Sequence, residues 1–79
     1  MTDLYQPDGD ERDTARRAAE AHTAASRDVE VFLRRLPAVP TAGDVAEYAA
    51  LVAREEVLRA QRQAAVRTAG LDVPSVEPQ

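Results

Sequence analysis

The sequence predicts an all-α fold, an antiparallel two-helix hairpin that resembles a coiled coil and pairs with a second copy into a four-helix bundle. In the first half of the chain, apolar residues recur at alternating spacings of three and four, as in a helix packed lengthwise against another. A turn rich in Pro and Gly then divides the chain into two segments of similar length. The chain is also small and rich in alanine, which leaves little bulk for a core and favours oligomerisation.

The composition supports one small domain without a metal or cofactor. The chain has 79 residues, and 16 alanines account for much of its 44% apolar content. It contains no Cys, which excludes a disulfide and a zinc site made of thiolates, and its single His is too few for a histidine metal site. We therefore predict no cofactor and no bound metal, and oligomerisation remains as the means of stabilising so small a core.

The net charge and the residue usage indicate which partners, cellular location and type of genome to expect. Its net charge is -4 and its pI is about 4.8, whereas proteins that bind nucleic acid are usually basic. The acidic N-terminus does not resemble a signal peptide, and no apolar run approaches the roughly 20 residues that cross a bilayer. We expect a cytoplasmic protein with no membrane association. All ten basic residues are Arg, which indicates a bacterial genome of high GC content.

The first helix is predicted over residues 10–36, after an extended lead-in over residues 1–9. Asp10 can cap this helix or add negative charge at its positive end, where such charge is favourable. Arg34 and Arg35 place positive charge on the last turn, and Pro37 disfavours the helical conformation of the preceding residue.

One face of the first helix carries a continuous apolar heptad pattern, which we call the seam because it predicts contact with the other helix. Leu33 lies one position beyond the pattern and widens the seam into a broader apolar face. The seam positions are Ala15, Ala18, His22, Ala25, Val29, Phe32 and Leu36.

The turn over residues 37–43 reads PAVPTAG and is too short and too rich in Pro to continue a helix. Such short connections favour antiparallel neighbours. Thr41 and Asp44 have the spacing of a capping box, so the second helix is predicted over residues 44–69, with an uncertainty of about one turn in its start. Gly70 ends it, and residues 71–79 are predicted to be an extended tail.

The second helix carries two apolar stripes on nearly opposite sides. The first is the predicted hairpin seam, which consists of Ala46, Ala50, Ala53, Val57, Ala60 and Ala64, flanked by Leu51, Leu58 and Ala65. The second, which we call the partner stripe, consists of Val45, Tyr48, Val52 and Val66. A helix that simply faced water on its back would not need a second apolar stripe, so we predict that the partner stripe meets another chain. The bulky seam residues are then Val29, Phe32, Leu33, Leu36, Leu51, Val57 and Leu58.

No motif that carries catalytic chemistry is present in the sequence, so we expect no enzymatic activity. Four pairs of opposite charge have the (i, i+4) spacing of solvated helix faces, namely Asp13 with Arg17, Arg16 with Glu20, Glu30 with Arg34 and Glu55 with Arg59.

His22 lies within the seam, where a polar residue commonly helps to fix the register of the helices. A general base or a pH switch is the alternative interpretation of His22.

Three hypotheses about function follow. The first is a small non-enzymatic interaction protein, an adaptor, regulator or assembly factor, that associates with itself or with a larger protein. The second is a nucleic-acid-associated regulator that presents Arg16, Arg27 and Arg34 along one side of the first helix; steep salt dependence of binding would mark it. The third is a small-ligand-binding or accessory subunit of an enzyme system, with His22, Tyr48 and the arginines as candidate contacts. The first is the leading hypothesis.

Overall fold

The computed structural model describes residues 7–71 of the chain. Within them it contains two α-helices, α1 (Pro7–Arg35) and α2 (Ala42–Thr68), and no strand. The two helices pack against each other, so the predicted all-α hairpin is confirmed. The greater part of the predicted lead-in and tail, residues 1–6 and 72–79, lies outside the described residues.

Contacts between the helices show that they run antiparallel. From the N-terminal half of α1 toward the turn, His22 contacts Glu55 at 2.7 Å, Asp28 contacts Arg54 at 3.3 Å, and the Phe32 and Tyr48 rings stack with centroids 6.0 Å apart. The residue number on α2 falls as the number on α1 rises, as required for two helices joined by a short turn.

α1 begins three residues earlier than the sequence predicts and ends one residue earlier. Pro7 occupies its first position, where the fixed φ of proline suits a helix and the missing N–H would have no partner in any case. At the other end, the N–H of Leu36 donates to the carbonyl of Leu33 at 3.3 Å in a tightened last turn. Pro37 then prevents the helix from continuing.

A capping box fixes the start of α2. The Thr41 hydroxyl accepts a hydrogen bond from the Asp44 N–H at 3.1 Å, and the Asp44 carboxylate accepts one from the Thr41 N–H at 2.8 Å. Two backbone donors are thereby satisfied at the helix end. α2 therefore begins at Ala42, two residues before the predicted start.

α2 ends in a Schellman motif. The N–H of Gly70 donates to the carbonyl of Arg67, and the N–H of Leu71 donates to the carbonyl of Val66, both at 3.0 Å. This pattern requires a residue in the left-handed region after the cap, and Gly70 has φ = 80°. Glycine adopts this conformation without the steric cost of a Cβ atom.

α1 turns its predicted seam toward α2. All seven seam positions are buried or half-buried, but within residues 10–71 only Ala15 and Ala25 are fully buried, at 6% and 1% exposure. Leu33, which was expected in the seam, is 48% exposed, because it lies at the edge of the contact. The most completely buried positions of α1 are thus occupied by small side chains.

α2 turns a different face to α1 than the sequence predicts. The predicted alanine stripe is exposed, and Val57, its bulkiest member, is 56% exposed. The flanking Leu51 and Leu58 do face α1 and are half-buried. The half-buried positions with heptad spacing are Asp44, Leu51, Glu55, Leu58, Arg62, Ala65 and Ala69. Leu51 and Leu58 each follow a predicted seam alanine by five residues, which is about 140° around a helix.

The physical reason for this difference is a polar contact in the middle of the seam. A stripe of alanines avoids all charges, whereas the observed seam includes Glu55 and Arg62. Glu55 is tolerated at this position because it pairs with His22 of α1, so its half-buried carboxylate is not left without a partner.

Candidate interaction surface and polar cluster

A cluster of three polar side chains joins the helices near their middle. His22 Nε2 lies 2.7 Å from Glu55 Oε2, and these two side chains are only 12% and 15% exposed. Arg59 donates to both carboxylate oxygens, with Nη2 at 2.6 Å from Oε1 and Nε at 3.3 Å from Oε2. Each carboxylate oxygen thus has at least one donor or ring nitrogen, and no side-chain nitrogen or oxygen buried within residues 10–71 lacks a hydrogen-bond partner.

The cluster changes the acidity of two of its members. Hydrogen bonds from Arg59, and secondly from His22, lower the pKa of Glu55 below its usual value of 4.5 because they stabilise the carboxylate. The same contact with Glu55 raises the pKa of Arg59. Glu55 is therefore charged at neutral pH, and its contacts bind the two helices to each other in one register.

A groove between the helices runs along one side of the hairpin and is lined mainly by apolar side chains. Two adjoining concavities, of about 300 and 310 Å³, form it and share Tyr48. We call this side the groove face. It is lined by Ser26, Val29, Phe32, Leu33 and Leu36 of α1, Pro40 of the turn, and Asp44, Val45, Tyr48, Val52 and Glu55 of α2.

The opposite side of the same helix pair is charged. Asp28 and Arg54 form an ion pair across it at 3.3 Å, and Arg35 and Glu47 line the concavity nearer the turn. We call this side the charged face. The same concavity is also lined by Val31, Phe32 and Leu51. The groove face is the more apolar of the two sides, which marks it as the candidate interaction surface.

The partner stripe lies beside the seam, whereas the sequence places it opposite. Val45 is 61% exposed and Tyr48 39% exposed, and both line the turn-proximal concavity. Val52 lines the adjoining concavity, so the structure brings these three residues together on the groove face. Val66 is half-buried near the other end of α2 and is separated from them by Glu55 and Arg59.

Two of the three arginines proposed for nucleic-acid binding, Arg16 and Arg34, are engaged with carboxylates. Arg16 pairs with Asp13 and with Glu20, and Arg34 lies 3.6 Å from Glu30. All four ion pairs predicted from the (i, i+4) spacing occur. These pairs reduce the positive charge that α1 presents to a phosphate backbone.

The candidate ligand contacts of the third hypothesis are also occupied. His22 is held by Glu55, and the Tyr48 ring is stacked on Phe32 near the turn. Among the side chains of residues 10–71, no group of three or more His, Asp or Glu is arranged to hold a metal ion. Neither of the two described helices combines the length and the apolarity needed to cross a membrane.

Sequence reasoning missed Glu55 as the partner of His22. The available signal was the position of both residues in heptad patterns, since an antiparallel hairpin with its turn near residue 39 places residue 22 opposite residue 55. Comparison with known proteins adds no family, because no protein-family model, curated protein or solved structure matches the chain.

Proposed function

We propose that this chain is a non-enzymatic helical interaction protein that acts by pairing with itself into a four-helix bundle. In this form it serves as an adaptor, regulator or assembly factor, and a larger protein partner would use the same surface. The cytoplasm is the compartment that we propose for it.

The observation that supports this proposal is the lack of a bulky buried core. Among the residues whose side chains the structure describes, no Leu, Val, Phe or Tyr is buried, and the two buried residues are both alanines. Stable small domains depend on burying such side chains or on association with another chain. The groove face offers the missing burial, since its exposed apolar residues are contiguous.

Sedimentation equilibrium over a range of micromolar concentrations tests the proposal. We expect a species of twice the chain mass of 8.6 kDa. Val52→Glu should shift the equilibrium toward the monomer, because it places an unpaired charge on the groove face. The hairpin helicity should remain largely intact, because the alanine-rich helices and their ion pairs are unchanged.

Val57→Glu is the matched control, since it makes the same substitution on the same helix at an outward position. It should leave the dimer unchanged. A folded species of 8.6 kDa throughout the concentration range would refute self-association.

A further inference from the structure

The structure points to a second copy of this chain as the occupant of the groove face, aligned so that the two turns lie at the same end of the four-helix bundle. This inference rests on the proposed function and specifies the orientation of the partner on that surface.

Apolar residues are distributed unevenly along the groove face. In the turn-proximal half, Leu33 and Val45 line one concavity together, and Val29 and Val52 line the next. The same heptad register places Arg59 at the following level on α2, where its side chain is 48% exposed. Apolar bulk is therefore concentrated near the turn, where Asp44 is the one charged residue among the described residues that line the concavity, and Glu55 and Arg59 add charge at the middle of the hairpin.

The length of the hairpin sets the contact area that it can offer to a second copy. α2 has 27 residues, and a face about 40 Å long and roughly 20 Å wide provides about 800 Å² from each copy. This matches the area that each partner contributes to a standard interface. An overlap restricted to the turn-proximal halves would provide only about half of it, so the hairpins must overlap along their full length.

Only one full-length alignment matches the chemistry of the two faces. With both turns at one end, Val45, Tyr48 and Val52 of the two copies lie against each other. The reversed alignment would place these residues of one copy against the half of the other copy that carries Arg59, which would bury charge against apolar groups at considerable cost. The aligned dimer also leaves Arg59 bound to Glu55 of its own chain.

Fluorescence energy transfer between two labelled copies tests the alignment, and the lack of native Cys allows labelling at single introduced thiols. Donor copies carry Val39→Cys in the turn, where Val39 is 82% exposed. Acceptor copies carry either Val39→Cys or Leu71→Cys, which lies just beyond α2 and is 53% exposed in the parent. We expect substantially more transfer to the Val39 acceptor than to the Leu71 acceptor.

The other outcomes contradict either the alignment of the two copies or self-association itself. Greater transfer to the Leu71 acceptor would show the reversed alignment, and equal transfer would show overlap of the turn-proximal halves only. Either result would overturn the inference and leave self-association in place. Absence of transfer at concentrations up to the millimolar range would overturn the proposed function as well.

The same assay tests which face is used. Adding Val52→Glu to both copies should abolish transfer to the Val39 acceptor, and adding Val57→Glu should not. If Val57→Glu abolishes transfer and Val52→Glu does not, the second copy docks on the outer face of α2 and the inference is overturned.

Discussion

The residue that most changes the interpretation of this chain is Glu55. In the sequence it looks like the acidic half of an ordinary (i, i+4) pair with Arg59. In the structure, the Glu55 carboxylate also lies 2.7 Å from the His22 ring of the other helix, and only 15% of the Glu55 side chain is exposed. Two polar seam positions thus satisfy each other, and their pairing favours one register over any slipped alternative.

The pKa of Glu55 predicts a dependence of stability on pH. Because the folded state lowers this pKa below 4.5, the contribution of Glu55 to stability is fully present above that value. It is lost as the pH falls through the lower pKa of the folded state. Glu55→Gln should therefore destabilise the protein at pH 7 and flatten the loss of stability below pH 4.5, as measured by urea unfolding at several pH values.

Glu56→Gln provides the control for this experiment, since Glu56 is the exposed neighbour of Glu55. This variant should retain the pH dependence of the parent. An equal flattening in both variants would show that the acid sensitivity comes from the overall charge and not from the polar cluster.

At the scale of the helices, the boundaries were largely predictable, whereas the face of α2 was not. Capping residues, proline and glycine act over a few positions, so Thr41, Pro37 and Gly70 indicate the helix ends from sequence alone. The inward face of α2 depends on which side chains of α1 it meets. The alanine stripe is entirely apolar and the observed seam includes Glu55 and Arg62, so apolar content alone gives the wrong face. Contacts across the hairpin, such as His22 with Glu55, make the choice.

Two adjacent residues of α2 test this assignment of faces. Leu58 is half-buried against α1, and Val57 is 56% exposed, although the sequence predicted both in the seam. Leu58→Ala should cost about 2 kcal/mol of unfolding free energy, the low end for a buried leucine. Val57→Ala should change it by less than about 0.5 kcal/mol, as expected at a surface position.

Urea unfolding followed by circular dichroism measures both variants at the same protein concentration, so that self-association affects them equally. A larger loss for Val57→Ala than for Leu58→Ala would restore the alanine stripe as the seam of α2.

At the scale of the whole molecule, the hairpin separates its surfaces by chemistry. Charged residues are more frequent on the face that contains the ion pair of Asp28 and Arg54, and apolar residues predominate in the groove on the other side. The sequence predicted a second apolar surface of Val45, Tyr48, Val52 and Val66, and the first three of these line the two adjoining concavities of the groove face. It could not show that this surface adjoins the seam, because that depends on the rotation of α2 about its own axis.

The absence of bulky buried residues within residues 10–71 predicts that self-association adds to the stability of the folded hairpin. If the native state is a dimer, each tenfold rise in protein concentration adds about 1.4 kcal/mol to its stability. For a folded unit of two such chains, this raises the thermal midpoint by about 3 to 6 °C.

Circular dichroism melts from about 1 to 100 μM should show this increase for the parent and for Val57→Glu. Val52→Glu should melt at a lower temperature with little dependence on concentration, because the charge on its groove face opposes pairing. A parent midpoint that stays constant over this hundredfold range would mean that a single hairpin supplies all of the stability.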